Sequence, residues 1–128
     1  MSDDTYSRIL VFVAGILGAA GVVMAAGAAH GAGALRLLAP ASAMCLVHAP
    51  ALIALDVRRP RPAMFTLASA LLGGGTLLFA GDLAVKASEG HSLFPMAAPA
   101  GGTLLILGWV AVALAAFAPR RRTNSDPA

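Results

Sequence analysis

Four stretches of this chain contain no Asp, Glu, Lys or Arg: Ile9–Ala29, Leu37–Leu55, Ala63–Gly81 and Met96–Ala118, of 21, 19, 19 and 23 residues. A helix rises 1.5 Å per residue, so each covers about 28–35 Å, and the hydrocarbon core of a bilayer is about 30 Å thick. All four can span. The remaining composition agrees, with 59% of residues hydrophobic and 12% charged, where an average soluble domain has roughly 25% charged. The fold class expected is all-α, an integral membrane four-helix bundle with helices at about 9–29, 37–55, 63–85 and 96–118.

The longest gap between these stretches is the 14 residues from Asp82 to Pro95, which leaves no room for a second domain. Residues 1–122 form one transmembrane unit in this reading, and 123–128 a disordered polar tail. The segment from Arg8 through Ala25–Ala29 imitates a signal peptide with its cleavage site. Its apolar run is longer than the usual 7–15 residues, and Asp3 and Asp4 precede it, so retention of the segment is expected.

An even number of spans puts the N-terminus, the middle loop and the C-terminus on one side. That side carries Arg8, Arg58, Arg59, Arg61, Arg120, Arg121 and Arg122, whereas the other carries only Arg36 and Lys86. Short basic loops stay in the cytoplasm, so both termini are expected there, an N-in/C-in topology. The net charge of +3 is spent on helix ends instead of on a stripe interleaved with aromatics, which argues against a nucleic-acid partner. Pro60 and Pro62 make Arg58–Pro62 a tight basic turn.

Small residues recur at helical spacing along three of the four spans. Ala14, Gly18, Gly21, Ala25 and Ala28 form one stripe, Ala70, Gly74, Leu77 and Gly81 a second, and Gly101, Gly108 and Ala115 a third. Such stripes let helix backbones approach closely in a membrane. The second span differs, carrying Cys45, His48 and Pro50.

His48 lies eleven residues from Leu37, about 16 Å deep and near the midplane. Gly18, Gly74, Gly108 and Trp109 come to a similar level, giving a candidate polar layer of one imidazole and one indole among glycines. An ionisable residue at this depth is a candidate relay or ligand. The competing expectation, which we favour because no second titratable group shares the depth, is a neutral His48 bonded to Trp109, to the Leu46 carbonyl freed by Pro50, or to Thr76. At the outer face the candidates are His30, Asp82, Lys86 and His91. Asp82 stands four residues before Lys86, a favourable order for a membrane-edge ion pair.

His30 and His48 differ in depth by some 16 Å, which mismatches them as haem ligands, and the outer-face residues lack metal-site spacing. Cys45 reads as a small buried hydrophobe. With no nucleophile-base-orienter set, phosphate-cradling loop or carboxylate pair, neither a catalytic site nor a resident cofactor or metal is expected.

Four segments resemble a known family. They are Ala26–His30, His48 with the Ala and Leu that follow it, Gly75–Gly81, and Pro99-Ala100-Gly101-Gly102 followed after five residues by Gly108-Trp109. Together they look like the YgdD-like family of small four-helix membrane proteins, a domain of unknown function. The resemblance implies the same fold and a bacterial inner-membrane location, and brings no activity with it.

The functional expectation is a non-enzymatic accessory or scaffolding subunit whose partners are the bilayer and the helices of a larger membrane complex. The alternative is a small oligomeric transporter or channel with His48 on its pathway. A quinone- or haem-associated redox subunit is the third class.

Overall fold

The computed structural model describes residues 1–57 and 62–117. Four α-helices run in chain order: α1 Asp3–His30, α2 Leu38–Asp56, α3 Ala63–Glu89 and α4 Ala97–Ala115, with a 3-10 turn at Gly33–Leu37 leading into α2. All four are long and apolar enough to cross a membrane. No strand occurs among the described residues. The Arg58–Arg61 turn, residue 118 of the fourth span and the 123–128 tail lie outside those residues.

The apolar runs set the middle of each helix, and capping sets the ends. The first helix starts six residues earlier than its uncharged stretch, because the Ser2 hydroxyl accepts the Thr5 amide at 3.2 Å and Asp3 and Asp4 occupy its first turn. Both features favour a helix N-terminus. The third helix runs on to Glu89 and stops where Gly90 turns left-handed at φ 78°, its amide bonding the Lys86 carbonyl at 3.1 Å. Glycine adopts that conformation without a Cβ clash. At 28 and 27 residues, α1 and α3 are each about 40 Å long. They overhang the two 19-residue helices α2 and α4.

Packing follows the hairpins, α1 against α2 and α3 against α4, with α2 and α3 joining the two pairs. No Cα of α4 comes within 8 Å of a Cα of α1 or α2, so the four helices form an open arrangement around α3 instead of a closed square. Leu52 and Leu72, both fully buried, fill the middle, with Leu10, Leu17 and Leu105 around them. The lipid-facing side is correspondingly apolar: Phe12, Val23 and Ile106 are all more than 60% exposed. Surfaces of this kind on a soluble monomer would aggregate, whereas hydrocarbon solvates them.

The small-residue stripes divide into those that pack and those that do not. Gly101, Gly108 and Ala115 are all buried, as their spacing predicts. A Cβ on Gly101 would stand 2.6 Å from the Phe79 amide nitrogen, and one on Gly108 2.7 Å from Leu72 Cδ2. These two glycines therefore fix how close α3 and α4 lie. On α1, Ala14 and Gly21 are buried but Ala25 is exposed. The α3 stripe is corrected at three of its four positions: Ala70, Gly74 and Leu77 are exposed and only Gly81 is half-buried, while α3 instead buries Ala68, Leu72, Gly75 and Thr76. In a run as apolar as this one, hydropathy does not say which face turns inward. Contact with three neighbours decides it.

Candidate functional site

Trp109 reaches from α4 to α2, and its indole Nε1–H donates to His48 Nε2 at 3.1 Å. The rings sit 5.9 Å apart between centroids and tilted by 51°. On its other side the imidazole places Nδ1 2.8 Å from the Met44 carbonyl oxygen. These partners settle the tautomer. An indole N–H can only donate, so Nε2 must accept, and a carbonyl can only accept, so Nδ1 must carry the proton. His48 is thus a neutral Nδ1–H imidazole with both nitrogens occupied. It is 3% exposed, while Trp109 is 45% exposed and offers the outer face of its ring to lipid.

Of the three partners anticipated for His48, Trp109 is the one found. The Leu46 carbonyl that Pro50 deprives of an amide does not take the ring. Instead His48 turns back along its own helix to Met44, one turn earlier, where i to i−4 geometry needs no rearrangement. Thr76 also bonds its own helix, donating to the Leu72 carbonyl at 2.7 Å. The glycines of the proposed layer differ in their surroundings. Gly108, beside Trp109, is buried against Leu72, and a Cβ on Gly18 would meet Ala49, next to His48, at an ordinary 3.9 Å. A Cβ on Gly74 would meet nothing within 4 Å.

At the C-terminal end of α3 the expected ion pair between Asp82 and Lys86 is not formed. Asp82 is 2% exposed, and its Oδ1 accepts the Leu93 backbone amide at 2.7 Å. The loop before α4 folds back over the carboxylate, and a fixed backbone amide serves it without ordering a long lysine side chain. Lys86 is exposed, as is His30 at the end of α1. His91 pairs with Glu89 at 3.2 Å, both well exposed. Asp82 therefore pins the loop before α4 to α3, and His30, Lys86 and His91 stand apart from it. Among the described residues, no three His, Cys, Asp or Glu side chains gather as metal ligands would.

Three polar contacts were not anticipated from the sequence. The Tyr6 hydroxyl lies 2.7 Å from Ser69 Oγ and donates to the Thr66 carbonyl at 3.1 Å, tying α1 to α3. Ser7 donates to Asp56 at 2.6 Å, tying α1 to α2 near the same end. Ser42, buried, donates to the Gly21 carbonyl at 2.6 Å, which lies open because glycine has no side chain to cover it. For Ser42 and Ser69, each a serine within an apolar run, that setting was the available signal, since a hydroxyl in hydrocarbon needs a partner.

Residues 17–102 match the family described as "Protein of unknown function (DUF423)". That stretch covers more than half of the chain, from the middle of α1 to the start of α4. The chain belongs to this family. No solved structure matches it.

Proposed function

We propose that this multi-pass membrane protein is a non-enzymatic accessory or scaffolding subunit that packs against the helices of a larger complex in a bacterial inner membrane. The observation that carries the reading is the state of His48. A proton relay or substrate ligand needs an imidazole nitrogen free to exchange partners, and here one nitrogen is held by Trp109 and the other by Met44. The midplane polar pair is spent on joining α2 to α4. What faces outward is a broad apolar surface including Phe12, Ile106 and Trp109, suited to lipid and to partner helices alike. The Pro99–Gly102 and Gly108-Trp109 segments support placing the chain among the YgdD-like members of its family.

Purification in a mild detergent tests the reading. A larger membrane protein that co-purifies in fixed ratio is the expected result. A homogeneous oligomer of this chain alone, conducting ions or solute in vesicles, would replace the subunit reading with transport.

The basic residues support an orientation with both termini in the cytoplasm, seven of nine Lys and Arg falling on that side. Reporter fusions ahead of Arg8 and behind Arg122 are expected to be active only for a reporter that works in the cytoplasm. Periplasmic activity at either end would reverse the topology.

A further inference from the structure

The loop between α3 and α4 does not stand clear of the bundle. Beyond Glu89 and Gly90 it folds back, so that the Leu93 amide bonds Asp82 at 2.7 Å and a Cβ on Gly81 would meet Leu93 Cδ1 at 3.9 Å. Gly81 and Asp82 are where the uncharged run of this helix ends. Leu93 therefore lies at the boundary between the apolar and the charged part of α3, about 10 Å short of the level of Ser88 along the helix.

At that level the loop is apolar. Leu93 is 51% exposed, Phe94 48% and Met96 70%, with Pro95 exposed between them. The charges of this helix end, on Lys86 and Glu89, sit further along α3. A direction follows from Ala70, Gly74 and Leu77, which are exposed on one face of α3. Gly81 continues their spacing, and Leu93 covers it. The loop thus prolongs a surface that faces hydrocarbon.

Met96 adds an independent observation. Its backbone is left-handed at φ 68°, the one non-glycine residue so placed among the described residues. Glycine would adopt that conformation freely, and side chains held in it under strain collect at binding and switch sites. Its side chain is mostly uncovered within the chain, so a contact that explains it lies outside.

We propose that Leu93–Met96 is an interfacial anchor, seated between the headgroups and acyl chains of the bilayer and aimed there by Asp82. The occupant is lipid, because the loop lies at the boundary level and extends the lipid-facing strip of α3, and this is the layer in which leucine and aromatic side chains bury. The proposal rests on the helices spanning a membrane and is independent of the accessory role.

The test uses the full chain in vesicles of phosphatidylethanolamine and phosphatidylglycerol, with hydrogen peroxide as the probe and thioether oxidation read by peptide mass spectrometry. Ser88→Met supplies a reference thioether in the charged part of the same helix end, from an exposed position. Met96 is expected to oxidise about fivefold more slowly than this reference, at any ratio of lipid to protein. Asp82→Leu should erase most of that difference, and Asp82→Asn, which keeps an acceptor for the Leu93 amide, should preserve it. Oxidation of Met96 as fast as the reference would overturn the anchor. So would protection that fades as lipid is added, since a second protein chain would then be the cover. Equal protection in a folded Asp82→Leu protein would remove Asp82 from the proposal, and if that variant does not fold, Asp82→Asn must still protect Met96. Met44, in the middle of α2, separates the two readings: if it oxidises as fast as the reference, the helices do not span.

Discussion

Gly101→Ala is expected to weaken the bundle by about 2 kcal/mol or more, although the same change at Gly74 should leave it unaltered or strengthen it. Alanine is the better helix former by about 1 kcal/mol. At Gly74 the new methyl enters open space, so that gain stands. At Gly101 the methyl would lie 2.6 Å from the Phe79 nitrogen and 2.9 Å from the Gly75 carbonyl oxygen. Both are backbone atoms that move only if the helices part. Overpacking of this kind costs about 1–3 kcal/mol and sometimes more, and moving α4 also strains the Trp109 bond. Gly108→Ala should fall between the two. Its closest neighbour is the flexible end of Leu72, with the Leu72 nitrogen at 3.2 Å, so part of the clash can be relieved by a side-chain shift. Thermal melting in one detergent ranks the three variants, and a Gly101→Ala protein as stable as Gly74→Ala would show that the α3–α4 contact is looser than described.

His48→Leu should cost about 1–2 kcal/mol, whereas His48→Gln should cost less than half as much. Leucine strands the Trp109 N–H in a region without water, and hydrogen bonds between membrane helices average about 0.6 and reach about 1.7 kcal/mol. Glutamine keeps an acceptor for the indole and a donor for the Met44 carbonyl. Trp109→Phe tests the bond from the other end, keeping most of the ring and deleting the N–H. Its loss should not add to that of His48→Leu, because both remove the same interaction. Additive losses would mean that packing, and not the bond, holds the two residues. A different outcome would touch function: a proton-coupled flux in wild-type vesicles that His48→Gln abolishes at unchanged melting temperature would make His48 a relay.

The contrast between Asp82 and His48 shows where sequence reasoning reached and where it stopped. His48 was identified by depth alone, since one imidazole eleven residues into an uncharged run stands out and few partners share its level. Trp109 was among them. For Asp82 the sequence points to the nearest opposite charge along its helix, and its partner in the structure is the backbone amide of Leu93. Any loop residue offers such an amide, so no side-chain pattern marks it.

Fold class and span number were determined by the sequence itself, because the length of an uncharged run against the thickness of a bilayer is a one-dimensional comparison. The buried spacing of Gly101, Gly108 and Ala115 was likewise legible. Which face of α3 turns inward was not. In soluble helices polar residues mark the outside, but in a membrane both faces are apolar and the marking is lost. Only the tertiary structure distinguishes Gly75, pressed against α4 with the Gly101 carbonyl 3.0 Å from where its Cβ would be, from Gly74, which has open space at the same depth. Two adjacent glycines are identical as sequence, and the 100° between them around the helix decides that one sets a helix contact and the other opens onto lipid.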